Sequence, residues 1–305
     1  MQSIPDIAVI GVAKAGTTSM ASWLDAHPDV AMARIKESNF FATDIDLDRF
    51  TGQFKNLSPQ PPDAYWASKS LQPLHGAFVK DANRYQRLFE HASPGQSTAD
   101  CSPSYFFSQQ APEALQKANP LAKVILILRN PVDRAYSHYL MARKYGMVKG
   151  DFLDELAEDQ AKQPVWGNSE NIYHLSCYAE GLKRWQAAFP EMKVCLYEEL
   201  FQSEQWDSLC DFLHIARLAG PSTVQFQGKE SRRPGINAFV MHHPIGKLLQ
   251  NLSPAWLRNW AIKRLTKPIE SQSSTIDRKA AWRYFHKDVA EVEALLGRPL
   301  SLWPH

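Results

Sequence analysis

The chain has 305 residues, of which 44% are hydrophobic, and a formal net charge of +2. This length suits one large α/β domain or two small ones, and the apolar content is enough for a full core. The small charge gives no reason to expect a nucleic-acid partner. The longest wholly aliphatic run, residues 124–128, is far too short to cross a membrane.

The cysteine pattern and the start of the chain suggest a cellular compartment. The four cysteines form no C-x-x-C pair and have no spacing typical of a metal site. We therefore expect reduced thiols, no bound metal and a cytoplasmic location. A strand pattern begins almost at once, where a targeting leader would show a basic and then an apolar segment. The chain is also compatible with the catalytic part of a longer protein.

The first predicted element is a short buried strand at residues 7–10. The segment Gly11–Ser19 that follows contains two glycines, one lysine and three hydroxyl residues, and a helix is predicted from there to about Ala26. Such a unit binds phosphate, because glycines let backbone N–H groups approach an anion and the helix N-terminus adds partial positive charge. A plain turn before a helix is the alternative, but the flanking elements and the hydroxyls favour the anion site.

This loop departs from the P-loop pattern G-x-x-x-x-G-K-[ST] at one position. Gly11 and Gly16 have the P-loop spacing and Thr18 stands at its Ser/Thr position, but Thr17 replaces the lysine. The loop's cation is Lys14 instead, so a nucleotide kinase would lose its usual contact with the β- and γ-phosphates. We predict that the loop binds one 5′-phosphate and polarises a neighbouring leaving group. Its predicted binding residues are Lys14, Ala15, Gly16, Thr17, Thr18 and Ser19.

Residues 30–105 carry weaker signals. A short strand is predicted at 30–32, a helix at 84–89 and a strand that ends near Pro103. Residues 42–75 are mixed in character and contain a proline cluster at 59–62. We interpret this stretch as a loop that serves as a lid or substrate-side insertion.

The second strong signal is the run of five aliphatic residues at 124–128. It lacks alternation, which indicates a strand that is buried on both faces, as in a parallel sheet. Arg129 follows at the carboxyl end of that strand, where open α/β sheets bind ligands. Pro131 fits the first turn of a helix, and Ser137 would then lie one to two turns along it. Arg129 and Ser137 therefore suggest a second phosphate site, with a salt bridge at the strand end as the alternative for Arg129.

The remaining elements complete the predicted fold. Helices are expected around 152–157, 178–189 and 206–213, a strand at 194–197, and a helical C-terminal part over 237–305. The last helix should end near Leu296, with Gly297 as its C-terminal cap. We predict one domain over residues 1–305 of the α/β class. It should be a three-layer, P-loop-like fold with a mostly parallel central sheet and helices on both faces.

Three segments together resemble the sulfotransferases that use 3′-phosphoadenosine 5′-phosphosulfate (PAPS). They are the Lys14 loop, the unit from Arg129 to Ser137 and the terminal residues 300–303, and the resemblance covers nearly the whole chain. It implies that PAPS is the co-substrate and adenosine 3′,5′-bisphosphate (PAP) the product. It also implies that the first loop holds the 5′-phosphosulfate, while Arg129 and Ser137 bind the 3′-phosphate.

The resemblance is closer to the carbohydrate, glycosaminoglycan-type branch than to the cytosolic aryl and steroid branch. The matching segments are Gly11–Thr17, His27–Val30, Glu37-x-x-Phe40-Phe41 and Ser102–Phe106. In that branch the glutamate three residues before the Phe-Phe pair is the catalytic base, which implies this role for Glu37. A solvated loop carboxylate is the alternative for Glu37, and Asp100 is a reserve candidate for the base.

One position departs from the pattern of that branch. The branch places a catalytic lysine or histidine just before the Ser/Thr-Pro element, where this chain has Cys101. We therefore expect Lys14 to carry most of the leaving-group stabilisation. A later loop at 219–236 contains Lys229, Arg232 and Arg233, and we predict that it folds over the nucleotide toward the 3′-phosphate. A solvated basic loop is the alternative.

Three functions follow from these residues as hypotheses. The first is an O-sulfotransferase, since sulfuryl transfer depends mainly on positioning and charge stabilisation, with a carboxylate to accept the hydroxyl proton. The second is a P-loop kinase that uses ATP and Mg²⁺, and the third is a catalytically inactive module that binds PAP. The acceptor is open among a carbohydrate, a lipid-linked molecule and a small metabolite, and the sequence does not indicate an oligomeric state.

Overall fold

The computed structural model describes residues 5–50, 60–166, 172–218, 229–231, 266–268 and 276–304. Its strands, in chain order, are β1 (Ile7–Gly11), β2 (Val30–Met32), β3 (Ile35–Lys36), β4 (Leu74–His75), β5 (Ser97–Cys101), β6 (Lys123–Leu128), β7 (Lys193–Leu196), β8 (Lys229–Ser231) and β9 (Thr266–Pro268).

The α-helices are α1 (Thr17–Asp25), α2 (Asp63–Ala67), α3 (Ala82–Arg87), α4 (Ser104–Phe107), α5 (Ala111–Ala118), α6 (Pro131–Lys144), α7 (Phe152–Ala161), α8 (Ala179–Ala188), α9 (Ser203–Leu213), α10 (Arg278–Trp282) and α11 (His286–Leu296). Short 3₁₀ helices lie at Leu47–Arg49 and His174–Ser176. Among the described helices, none is both long and apolar enough to span a bilayer.

A five-stranded, wholly parallel sheet forms the centre of the fold, in the order β2-β5-β1-β6-β7. The aliphatic residues of the neighbouring strands β1 and β6 are buried on both faces, because helices flank the sheet. The predicted α/β class with a mostly parallel sheet is therefore confirmed. The position of β1 between β5 and β6 places the carboxyl ends of these three strands side by side, at the edge where α/β sheets bind ligands.

Two smaller sheets lie beside this core. β3 and β4 form a parallel pair, and β8 and β9 form an antiparallel pair. Strand β8 corrects the sequence prediction at residues 229–231, which lie in the stretch 219–236 that was predicted to be a loop. The predicted helical C-terminal part over 237–305 stays a prediction. Neither strand shows the apolar alternation by which a strand is predicted, and each is specified by a partner far away in the chain.

The other predicted elements agree with the structure to within a few residues. Gly297 caps the last helix with a φ of 63°, as predicted for a glycine at this position. Helix α1 begins at Thr17, three residues earlier than expected, because Gly16 turns the chain in a left-handed conformation directly before it. Single-domain organisation over 1–305 and a lid within 42–75 remain predictions, and residues 51–59 and 232–265 lie outside the described part of the chain.

Candidate active site

The predicted phosphate loop curls over the carboxyl edge of the sheet between β1 and β6. The Val12 N–H donates to the Ile127 carbonyl at 2.8 Å, and the Ala15 N–H donates to the Val12 carbonyl at 3.1 Å. Lys14 and Gly16 both have positive φ angles, 71° and 89°. The loop thus reverses sharply and leads directly into α1, whose N-terminus contributes partial positive charge at this edge.

Glycine is required at position 16 for two reasons. Its φ of 89° is unfavourable for a residue with a side chain, and a Cβ there would lie 3.0 Å from the Tyr197 ring and 3.2 Å from Leu200. Of the three predicted hydroxyl residues, Thr17 and Ser19 are buried, whereas Thr18 is partly exposed. Thr18 therefore offers the accessible hydroxyl of this loop.

Lys14 lies within a cluster of cations. Burial, followed by the charges of Arg129, Arg134 and Lys144, lowers the pKa of Lys14 to about 8, while Glu37 acts in the opposite direction. The Lys14 ammonium is 3.8 Å from the Met141 sulfur, a weak acceptor. Positive charges repel one another in this partly desolvated site, so an anion bound there would be stabilised. The residues therefore fit a phosphate or phosphosulfate ligand.

Arg129 connects the two predicted phosphate sites. Its Nη1 donates to the Lys14 carbonyl at 2.9 Å, and its guanidinium lies over the Tyr197 ring, 4.5 Å from the centroid. The Tyr178 hydroxyl donates to the Arg129 carbonyl at 2.9 Å. The structure therefore brings Arg129 to the Lys14 loop, across 115 residues of sequence. Ser137 lies on α6 and is partly exposed, and its contact with a 3′-phosphate stays a prediction.

Two residues of α6 that sequence reasoning missed lie beside this site. Arg134 is fully buried, and its Nη2 donates to His138 Nδ1 at 2.9 Å and to the Ile172 carbonyl at 3.1 Å. Burial lowers the pKa of Arg134 to about 10. Burial, together with Arg134 and Lys14, places the pKa of His138 well below its usual range, so the ring is neutral and accepts at Nδ1. The i, i+4 spacing of these residues was the available signal.

Glu37 is held by its backbone at the end of β3. Its N–H donates to the Cys101 carbonyl at 2.9 Å, and its carbonyl accepts from the Ala77 N–H at 3.0 Å and from Asn39 Nδ2 at 2.8 Å. Its Oε1 lies 2.6 Å from the Lys36 ammonium, and the carboxylate side chain is 29% exposed. Glu37 is therefore a fixed carboxylate that a substrate can reach, as a general base must be.

Aromatic residues anchor the Glu37 segment. Phe41 is buried, with its ring centroid 5.6 Å from that of Tyr105, while Phe40 stacks on Tyr85 at 4.0 Å. The reserve candidate Asp100 lies beneath these rings, fully buried. It accepts hydrogen bonds of 2.6–2.9 Å from four hydroxyl groups, those of Ser38, Tyr85, Ser102 and Tyr105. Asp100 is thus a structural acceptor with no exposed surface for a substrate hydroxyl.

Cys101 lies at the end of β5 between the Glu37 segment and the phosphate loop. Its thiol donates to the Thr17 carbonyl at 3.4 Å, and burial raises its pKa to about 12. It therefore carries no charge at neutral pH. The basic loop residues Arg232 and Arg233 lie outside the described residues, and Lys229 is described only as backbone of β8, so their predicted contact with the nucleotide stays a prediction.

Curated proteins are similar to this chain over part of its length. Heparan sulfate glucosamine 3-O-sulfotransferase 5 of Mus musculus is 26% identical over 193 residues, which are 62% of this chain and 46% of that protein. Heparan sulfate glucosamine 3-O-sulfotransferase 6 of Mus musculus is 28% identical over 188 residues, 61% and 44% of the two chains. The chain thus spans less than half the length of these relatives.

A solved structure shares the fold of this chain. A sulfotransferase from Alicyclobacillus acidocaldarius is 23% identical, covers 99% of both chains and superposes with a TM-score of 0.64. The predicted closeness to the carbohydrate branch is confirmed by the heparan sulfate relatives. The profile of the sulfotransferase family matches residues 5–217, more than half of the sequence, and the chain therefore belongs to the sulfotransferase family.

Proposed function

We propose that this protein is an O-sulfotransferase that transfers the sulfuryl group of PAPS to an acceptor hydroxyl and releases PAP. The observation that carries the proposal is the arrangement around Lys14. Arg129 donates to the carbonyl of Lys14 in the loop. Cys101 joins the accessible carboxylate residue Glu37 to the same loop, because its carbonyl accepts from the Glu37 N–H at 2.9 Å and its thiol donates to the Thr17 carbonyl at 3.4 Å. An anion-binding loop beside a general base is the arrangement that sulfuryl transfer requires.

The residues of the loop would hold the donor. PAPS supplies an activated sulfuryl group whose leaving group is a phosphate. Lys14, the N-terminus of α1 and the Thr18 hydroxyl are placed to stabilise negative charge on that phosphate. Arg129 would bind the 3′-phosphate together with Ser137. Its hydrogen bond to the Lys14 carbonyl would fix the position of the arginine relative to the loop.

Glu37 would act on the acceptor. Its Oε1 is occupied by Lys36, which leaves Oε2 to accept the proton of the attacking hydroxyl. Hydrogen bonds to Cys101, Ala77 and Asn39 hold the backbone of Glu37, and Lys36 contacts its carboxylate, so that the base is oriented toward the acceptor.

For the acceptor we propose a carbohydrate or another hydroxyl-bearing molecule of modest size. Relatives named as heparan sulfate sulfotransferases support a carbohydrate. The net charge of +2 over 305 residues favours a small carbohydrate, a lipid-linked sugar or a metabolite over a long polyanion.

The experiment is an acceptor screen in which PAP release is measured and the product is identified by mass spectrometry. A product heavier by one sulfuryl group is expected with at least one hydroxyl acceptor, and Glu37→Gln serves as the matched inactive control. Titration with PAP and with ATP plus Mg²⁺ accompanies it. Tighter binding of ATP with Mg²⁺ than of PAP would overturn the proposal in favour of a kinase, and PAP binding without transfer to any acceptor would favour an inactive PAP-binding module.

We also propose a cytoplasmic location. All four cysteines are free, and Cys101, Cys195 and Cys210 are buried, which suits a reducing compartment. Fractionation of cells that express the full-length protein tests this. Recovery of the protein from an oxidising compartment would contradict it.

A further inference from the structure

Lys36 is a largely buried cation beside the proposed catalytic base. Its ammonium lies 2.6 Å from Glu37 Oε1, and its side chain is only 14% exposed. It lies on β3, with its backbone in register with His75 of β4. A lysine this far from solvent costs free energy unless a partner compensates it, and the short contact to Glu37 provides that compensation.

The surroundings keep Lys36 charged. Burial lowers the pKa of this lysine, but the charge of Glu37, the hydrogen bond to Glu37 and the charge of Asp100 all act to raise it. The other group on the carboxylate is His75, whose Nε2 is 3.5 Å from Oε1 and whose side chain is 63% exposed. His75 is thus too solvated to fix the carboxylate. The nearby charge of Glu37 acts to raise the pKa of Lys14.

We propose that Lys36 is a positioning residue for the sulfuryl transfer, holding Glu37 Oε1 so that Oε2 accepts the hydroxyl proton, and that it supplies the fixed cation that Cys101 does not. This inference rests on the proposed function. The second cation of the site would then be Lys36 on β3, directly before the base Glu37, and not a residue at the position of Cys101 at the end of β5.

Lys36 neither donates nor accepts a proton during the transfer. A bond forms between the acceptor oxygen and sulfur, the bond from sulfur to the phosphate oxygen breaks, and its electron pair stays on the phosphate. The hydroxyl proton passes to Glu37 Oε2, while Lys36 keeps its own. The contribution of the ammonium is to orient the carboxylate, because a misplacement of about 1 Å can cost roughly 10²-fold in rate.

A set of lysine variants tests the inference. Lys36→Met should lower kcat by about 10²-fold, with KM and PAP affinity within about twofold of wild type. Lys36→Arg should recover about tenfold of that loss, because a guanidinium can also contact Oε1. Lys117→Met, which removes an exposed lysine paired with Glu113, is the matched control and should change none of these values.

A double-mutant cycle with Glu37→Gln separates the role proposed here from a merely structural one. If Lys36 acts through Glu37, Lys36→Met should cost less than about threefold in the Glu37→Gln background. An additive loss of about 10²-fold there, or wild-type kcat in Lys36→Met, would overturn the inference. Absence of transfer by the wild-type protein with every acceptor would instead count against the proposed function, so the two failures are distinguishable.

Discussion

The charge of Lys14 depends on its surroundings. Its pKa of about 8 lies below the ordinary lysine value of 10.5, because burial and neighbouring cations disfavour the charged form. Between about pH 8 and 10.5 the unfolded chain therefore binds more protons at this position than the folded chain. The free energy of unfolding should rise with pH across this interval, since the folded state no longer holds a buried charge there.

The same pKa predicts the pH dependence of ligand binding. PAP affinity should fall by roughly tenfold between pH 7 and pH 9.5, because Lys14 loses the charge that gives a charge-assisted hydrogen bond its strength. Isothermal titration calorimetry across this range measures the effect. Lys14→Met should bind PAP more weakly at pH 7 and show a much flatter profile. A wild-type affinity that does not change over the range would contradict the assignment of Lys14 to the phosphate.

Arg129 allows a test of the two-phosphate arrangement. Arg129→Ala should weaken PAP binding by roughly 1.5–3 kcal/mol, the usual worth of a hydrogen bond to a charged group. It should barely change the affinity for an analogue that lacks the 3′-phosphate. Because Arg129 also donates to the Lys14 carbonyl, an equal loss for both ligands would mean that its role is to shape the loop and not to bind the 3′-phosphate.

Glu37 and Asp100 form a matched pair of carboxylates for identifying the base. Glu37→Gln keeps the shape but cannot accept the proton, so turnover should fall by about 10²–10⁴ while PAP binding stays near wild type. Asp100→Asn should mainly lower the melting temperature, because the buried carboxylate holds four hydroxyl groups. Substantial turnover in Glu37→Gln, with none in a folded Asp100→Asn, would show that the base is misassigned.

At the scale of elements, the C-terminal tail holds the turn from β6 to α6. Glu198 accepts from the Asn130 N–H at 2.9 Å through Oε1 and from Trp303 Nε1 at 3.2 Å through Oε2. Asn130 Nδ2 in turn donates to the Pro304 carbonyl at 3.3 Å. Since Asn130 follows Arg129 directly, the tail supports the backbone that presents this arginine to the site.

Trp303→Phe tests this support. The change removes the donor to Glu198 and should lower stability by about 1 kcal/mol. PAP affinity should fall by several-fold, because the Arg129 turn loosens. Thermal denaturation and calorimetric titration measure the two effects. Leu302→Ala, at an exposed neighbouring position, is the control and should affect neither. A destabilised Trp303→Phe with wild-type PAP affinity would show that the tail does not support the binding site.

For the whole molecule, the order of the central sheet assembles the site. With β1 between β5 and β6, the Lys14 loop lies beside Cys101 at the end of one strand and Arg129 at the end of the other. Glu37 is tied to the same edge by its backbone bond to Cys101. The sites for donor and base are therefore parts of one sheet edge, and their spacing depends on the core rather than on a flexible loop.

The state of the thiols is a property of the whole molecule that can be checked. All four cysteines are free, and burial raises the pKa of Cys101 to about 12 and that of Cys195 to about 11. We expect a thiol reagent to label four cysteines in denaturant without reductant, and the buried ones only slowly in the native protein. Reductant should leave the melting temperature unchanged. Fewer than four reactive thiols in denaturant would reveal a disulfide.

The sequence by itself determined the strands at 7–10 and 124–128, the glycine-containing loop with Lys14 before a helix, and the placement of Arg129 after a buried strand. Each of these depends on a run of neighbouring residues, and apolar patterning, glycine and proline act locally. Only the tertiary structure decided that Arg134 is buried and donates to His138, that β8 pairs with β9, and that Trp303 holds the Arg129 turn through Glu198. These contacts join residues from distant segments or depend on what a helix face packs against. The local sequence pattern does not specify which distant residue a side chain will contact, because that contact depends on how the whole core packs.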